Sequence, residues 1–425
     1  MLTRMPEPMR FIHAARALMA GGLTAQVRVG IDRSEQIASV AVDVAAEPGD
    51  QSAQLLLPAL VNVHSHAFQR AFAGDTEIKG DPADSFWTWR EQMYAAAAGA
   101  NPDWLYAQAL ALYRLMRAQG YGWVCEFHYL HHQGDGVPYA RPQAMAEAIV
   151  HAARDAGLGL TLLPVLYQLG GFDGRALSPA QRRFGSTLAQ FFEMLAGLKS
   201  LEGPSMRLGL AFHSLRAVAP QPMAEALAQF EQGFDGRERP IHIHLAEQVA
   251  EVGECLRVRG ARPLDWLMDH ADVDARWCLV HATHLSPHEL TRLARSGAVA
   301  GLCPTTEANL GDGLFALEEF RSQHGRIGIG SDSHASVDPL EELRWLEYGQ
   351  RLKAQRRNVY ADADQPDIAL NLWRDAAIGG NLAAGLPAPL SIGAPARFWL
   401  FAQADQKTIS RLLFRHPHGL DVRLS

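Results

Sequence analysis

The sequence predicts an α/β fold: a (β/α)8 TIM-like barrel with a small β domain formed by both chain ends. Three observations predict it. First, eight short apolar runs recur, at 55–63, 122–127, 160–167, 207–212, 240–245, 277–282, 298–303 and 326–331. Most are almost continuously apolar, as parallel strands buried on both faces are. Second, helical patterns fill the gaps between them, and strand–helix alternation builds a parallel sheet. Third, residues 1–54 and 388–425 fit neither pattern. Each is too short for a core of its own, so together they read as one small β domain beside a barrel spanning 55–387.

The helices follow in order. The pattern 103–120 ends at Gly120, and 141–157 ends at Gly157, both plausible left-handed stops. The pattern 178–198 reads as one helix, and 221–233 precedes the fifth run. Residues 286–297 open with Ser286, Pro287 and Glu289, a capping box with proline at the first helical position. Near the end, 390–403 reads as extended chain with turns.

Composition narrows the classes of function. The 425 residues are 48% hydrophobic and 20% charged, which excludes a wholly disordered chain. A net charge of −7 without Lys/Arg runs argues against nucleic acid as a partner. A small anionic substrate stays open, because a few arginines inside a pocket outweigh a weak global charge. No apolar stretch is long enough to span a membrane, and the first residues lack a signal-peptide core. Cys125, Cys255, Cys278 and Cys303 form no C-x-x-C pair and read as buried free thiols, so a cytoplasmic protein is expected.

The chemistry sits at the ends of the apolar runs. His64 and His66 close the first; two residues apart in a strand, they project to one face. Run five supplies His242 and His244, with Glu247 just beyond; His244 is nearer the mouth and is the better ligand. His281 ends run six, and Asp332 follows run eight. Each alone has a bland reading as a cap, turn or core residue. In a barrel, however, the C-terminal ends of all strands converge on one volume. His64, His66, His244 and Asp332 then give an N,N,N,O ligand set for one divalent metal. Zinc is expected, with iron(II) or manganese as alternatives. Glu247 reads as the proton shuttle, His281 as the group that polarises the electrophile or helps take a proton, and Asp332 as a further proton acceptor.

This pattern resembles the amidohydrolase superfamily, specifically its deaminase branch. That branch carries H-x-H after strand one, H-x-x-E after strand five, His after strand six and Asp after strand eight. Run four, LGLAFHSLRAV, has no lysine of the kind that bridges two metals in other branches, which supports a single ion. The segments SFWTWREQMY (85–94), CEFHYLHH (125–132), FHSLRAV (212–218) and CPTTEANLGDG (303–313) resemble the members that act on formimino-amino acids. The resemblance covers nearly the whole chain. It implies a zinc-dependent hydrolase of linear amidines that converts N-formimino-L-glutamate to N-formyl-L-glutamate and ammonia in histidine degradation. It also implies a homodimer.

A substrate with two carboxylates needs cationic and hydroxyl donors. The resemblance assigns that task to Arg90, Tyr129, His213 and Arg216, and contact with the formimino group to Gln69. A nucleobase site would instead want aromatic stacking and amide donors. A barrel reduced to a binding protein would lack a ligand or Glu247, and neither is missing. One departure is Arg397, where many members of the superfamily carry aspartate; a surface difference is expected there.

Overall fold

The computed structural model describes residues 9–75, 77, 86–415 and 422–424. Ser85, which opens one of the segments quoted above, lies outside the described residues, as do 1–8, 416–421 and 425 of the expected terminal domain.

In chain order the strands are β1 (Arg10–Met19), β2 (Gly22–Ile31), β3 (Ile37–Ala41), β4 (Gln51–Pro58), β5 (Leu60–Ser65), β6 (Tyr121–His128), β7 (Gly159–Leu166), β8 (Met206–Leu208), β9 (Leu210–Ser214), β10 (Ile241–Leu245), β11 (Trp277–His281), β12 (Val299–Leu302), β13 (Arg326–Ile329), β14 (Phe398–Phe401) and β15 (Val422–Leu424). Strands β5–β13 form one sheet ordered β6-β5-β13-β12-β11-β10-β9-β7-β8, and pairing of β6 with β7 closes it into a barrel. Its pairings are parallel, as the apolar runs predict. Run four is two segments, broken at Gly209. A Cβ there would come within 2.6 Å of Leu163 and 2.8 Å of the Pro240 carbonyl.

The second sheet is ordered β15-β14-β4-β1-β2-β3 and joins the two ends of the chain. Its apolar interior includes Ile12, Val27, Val29, Leu56 and Phe398. Here the reading of run 55–63 as one barrel strand needs correction. Leu55–Pro58 pair with β14, and only Leu60–Ser65 enter the barrel. Pro58 ends the first ladder because it has no N–H to donate. The switch is invisible in the sequence because both sheets bury this stretch.

The helices largely follow the sequence. Pro102–Gln119 stops at Gly120 (φ 102°), Ala144–Ala156 at Gly157 (φ 68°), and Pro287–Ser296 opens with the Ser286/Glu289 capping box. The expected single helix 178–198 is instead a 3₁₀ turn, Pro179–Phe184, followed by a helix, Leu188–Leu198. Two capping boxes, Ser178/Gln181 and Thr187/Gln190, start the two pieces separately. Among the described residues no helix is long and apolar enough to cross a membrane.

The sheets are locked together at β14. Trp399 donates its indole N–H to the Gly120 carbonyl at 2.9 Å and meets Trp373 edge-on. Gly120 must be glycine here: its φ is left-handed, and a Cβ would lie 1.9 Å from the Trp399 ring. Arg397, expected at the surface, is half-buried. Its carbonyl takes the Ala59 N–H at 2.9 Å, and burial lowers its guanidinium pKa.

Candidate active site

The strand ends meet as the alternation of side chains requires. His64 and His66 leave β5 on one face, and both are buried. Asp332 is fixed against them by backbone bonds: its N–H donates to the His64 carbonyl at 2.9 Å, and its carbonyl accepts from His66 N–H at 3.2 Å. Gly330 makes this approach possible, since a Cβ would sit 2.9 Å from His64 N. The Asp332 Oδ1 atom then lies 3.2 Å from His64 Nε2 and 3.3 Å from His66 Nε2. Across the barrel His244 brings its Nε2 to 3.0 Å from that of His64.

These atoms fit a cation. His66 Nδ1 lies 2.9 Å from the Phe127 carbonyl, and His244 Nδ1 lies 2.8 Å from the His213 carbonyl. A carbonyl accepts only, so both Nδ1 atoms are N–H donors and both Nε2 atoms carry lone pairs. Burial lowers the pKa of His64, His66 and His244, keeping the rings neutral. Two imidazole nitrogens 3.0 Å apart beside a carboxylate are complementary to a divalent ion. His281 enters the same cluster, its ligand atom within 4.8 Å of those of His64 and His244.

Glu247 faces this cluster from the loop after β10. Ala246 turns the chain with φ 52°, and Glu251 accepts the Ala246 and Glu247 N–H groups, which fixes the turn. Glu247 Oε1 lies 3.9 Å from His281 Nε2, and Asp332 Oδ2 is also 3.9 Å from that atom. Burial pushes the Glu247 carboxyl up from the ordinary carboxylate range. Burial alone would lower His281, but Glu247, Glu307 and Asp332 outweigh it and raise the imidazole to about 10. The result is a carboxyl that holds a proton easily beside a base that keeps one. Non-glycine residues with left-handed φ concentrate here: Ala246, His281, Ala282, Asp332 and His334. Such backbone costs ~1–3 kcal/mol per residue and marks sites where placement matters.

A pocket enclosing about 580 Å³, counting the space at its open mouth, adjoins this cluster. Its lining brings in every substrate residue expected from the sequence: Gln69, Arg90, Tyr129, His213 and Arg216, beside His66, His244, Glu247, His281 and Asp332. Gln69 donates its amide N–H to the Tyr129 hydroxyl at 2.9 Å, while its Oε1 is buried without a protein partner. Burial lowers the His213 pKa, so that ring is neutral. The cavity therefore has an end lined by imidazoles and carboxylates and an end rich in arginine and phenol groups.

The amidohydrolase family model matches residues 55–367. The chain belongs to the amidohydrolase family. A second model, described as the N-terminal domain of formimidoylglutamate deiminase HutF, matches residues 9–54. The chain is 50% identical to formimidoylglutamate deiminase of Pseudomonas aeruginosa over 380 residues, covering 89% of this chain and 83% of that one. It is 28% identical to 8-oxoguanine deaminase of the same species, over 76% of this chain and 68% of that one. A crystal structure of an amidohydrolase from Brucella melitensis superposes with a TM-score of 0.89 at 42% identity, covering 98% and 92% of the two chains. An adenosine deaminase from Xanthomonas campestris with bound zinc shares the fold, with a TM-score of 0.75 at 20% identity over 96% and 90%.

Two buried carboxylates of this amidohydrolase barrel escaped the sequence reading. Glu126, on β6, accepts from Ser65 Oγ at 2.6 Å, Ala67 N at 2.7 Å and Tyr113 OH at 2.9 Å, which fixes the chain on both sides of His66. Burial pushes its carboxyl up to about 7. Glu307 takes the Cys303 N–H at 2.8 Å and stands 3.4 Å from His281 Nδ1. In the sequence it is only an acid in the first turn of a short helix, a common surface feature.

Proposed function

We propose that this amidohydrolase is a formimidoylglutamate deiminase, hydrolysing N-formimino-L-glutamate to N-formyl-L-glutamate and ammonia in histidine degradation. The relative at 50% identity carries the substrate assignment. The two-ended cavity supports it: one end suits the formimino carbon and the other suits carboxylates.

In this reading His64, His66, His244 and Asp332 hold one divalent ion, with zinc favoured by the nitrogen-rich set. When bound, the ion supplies Lewis acidity and eases deprotonation of water near neutral pH. The protein does the rest. Arg90, Arg216, Tyr129 and His213 bind the carboxylates and hold the formimino carbon in place. The unpaired Gln69 Oε1 accepts an N–H of the formimino group. Glu247 takes a proton from water and passes it to the formimino nitrogen, so that water adds across the C=N bond. Asp332 takes the remaining proton of the adding hydroxyl, and a proton passed through Glu247 to the same nitrogen turns it into a neutral ammonia leaving group. His281, beside Glu247 and Asp332, polarises the electrophile as the oxygen adds. The C–N bond then breaks as ammonia leaves, and the carbonyl of the formyl group forms. A homodimer and a cytoplasmic setting belong to the same reading.

The deciding experiment is a coupled ammonia assay on protein of measured metal content. The panel holds N-formimino-L-glutamate, N-formimino-L-aspartate and nucleobases. Rapid turnover of the glutamate derivative and none of the nucleobases is expected. Turnover of a nucleobase with N-formimino-L-glutamate left intact overturns the reading.

A further inference from the structure

Ring contacts step away from the ligand histidines along the cavity wall. His66 meets Tyr129 at 5.0 Å, Tyr129 meets Phe184 at 5.2 Å, and Phe184 meets Tyr94 at 5.7 Å and Tyr167 at 6.1 Å. Tyr167 also packs on His213 at 4.4 Å. Tyr94 and Tyr167 both line the cavity, and the reaction described above uses neither.

Their hydroxyls are oriented by one buried amide. Gln181 sits in the 3₁₀ turn Pro179–Phe184, where its Oε1 accepts the Ser178 N–H at 3.0 Å. An N–H must face the oxygen of an amide, so this bond decides which way the Gln181 amide points. Its Nε2 therefore faces the cavity wall, donating to Tyr167 OH at 2.8 Å and to Tyr94 OH at 3.3 Å. A phenol oxygen that accepts from an amide must turn its own proton elsewhere. Among the described residues neither hydroxyl donates to a carbonyl or a carboxylate. One phenol can pass its proton to the other, and that still leaves an O–H for the cavity. An anion lying there receives at least one O–H from the pair. The Arg90 guanidinium, 5.7 Å from the Tyr94 ring centre, adds positive charge nearby.

We propose that Tyr94 and Tyr167, preset as donors by Gln181, form a subsite for the substrate carboxylate remote from the formimino group. Gln181 is a positioning residue, and the two phenols are specificity-determining. The inference rests on the dicarboxylate reading of the substrate. A hydrogen bond to a charged acceptor is worth roughly tenfold in affinity, which sets the expected scale.

The test titrates metal-loaded enzyme with glutarate and with butyrate by ligand-observed NMR, and measures kcat and KM with N-formimino-L-glutamate. Glutarate carries two carboxylates and no formimino group; butyrate carries one. Tyr94→Phe and Tyr167→Phe each remove a single oxygen and are expected to weaken glutarate roughly tenfold, with butyrate unchanged. KM for the substrate rises by a similar factor while kcat holds. Gln181→Glu supplies an acceptor that captures the phenol protons. It is expected to weaken glutarate more than either tyrosine variant, again through KM; melting curves check that it folds, and the tyrosine variants suffice if it does not. Unchanged glutarate affinity in the Tyr94→Phe/Tyr167→Phe double variant overturns the subsite, as does a wild type that binds glutarate no better than butyrate. Tyrosine-dependent glutarate binding without ammonia release keeps the subsite and overturns the substrate reading. Ammonia release at unchanged KM in both single variants does the reverse.

Discussion

The barrel mouth and the terminal sheet bury their residues for opposite purposes. The mouth buries His64, His66, Glu126, His281 and Asp332, groups that water would hold more comfortably. It tolerates them because each finds a partner, and because several backbone turns are held in left-handed conformations. The terminal sheet buries Ile12, Val27, Val29, Leu56 and Phe398, which gain stability simply by leaving water. One region places atoms at a cost in stability; the other provides stability, and its core residues named here line no part of the cavity. Damage to the first should therefore show in chemistry, and damage to the second in melting.

Glu247→Ala puts the sharpest strain on that contrast. Ammonia release should fall by at least the ~10²–10⁴-fold typical of a lost acid–base group, with metal content and melting temperature near those of the wild type. Retained turnover removes Glu247 from the mechanism and blurs the distinction. In the sheet, Phe398→Ala deletes a ring that is 1% exposed. It should cost ~3–5 kcal/mol in denaturant unfolding, while kcat/KM per folded molecule stays within about twofold. A larger loss of activity means that the sheet tunes the mouth.

A smaller effect, read through pH, belongs to the barrel wall rather than to the mouth or the terminal sheet. His242 lies on β10 with its Nε2 2.8 Å from the Ala383 carbonyl, and burial lowers its pKa to about 4. The unfolded chain binds this proton near pH 6.5, so between 6.5 and 4 the unfolded state holds more protons than the native one. The stability from a neutral His242 is thus complete above pH 6.5 and is lost as pH falls towards 4. His242→Gln cannot titrate and retains an N–H donor. Its unfolding free energy should fall less between pH 7 and pH 4, by on the order of 3 kcal/mol. A slope identical to the wild type assigns the acid sensitivity elsewhere.

Much of this was legible in the sequence. The parallel strands announced themselves by apolar continuity, and H-x-H, H-x-x-E, His281 and Asp332 by standing where strands end. What stayed hidden had no local signature. Pro58 divides a run that looks uniform because both of its neighbourhoods are apolar. Glu126 and Glu307 matter through partners distant in sequence or folded back on themselves, such as Ser65, Tyr113 and Cys303. The break in 178–198 was present as two capping boxes, but the surrounding helical periodicity masked it.

Ala59 alone separates the last residue of β4 from the first of β5. Since β4 is gripped on one side by β1 and on the other by β14, its axial position is set before the chain enters the barrel. A residue inserted at this seam would slide His64 and His66 by about 3.3 Å, or swing them to the opposite face. The terminal sheet thus serves as the datum from which the reacting end is measured. Grafting it from a relative will succeed only where the seam keeps its length.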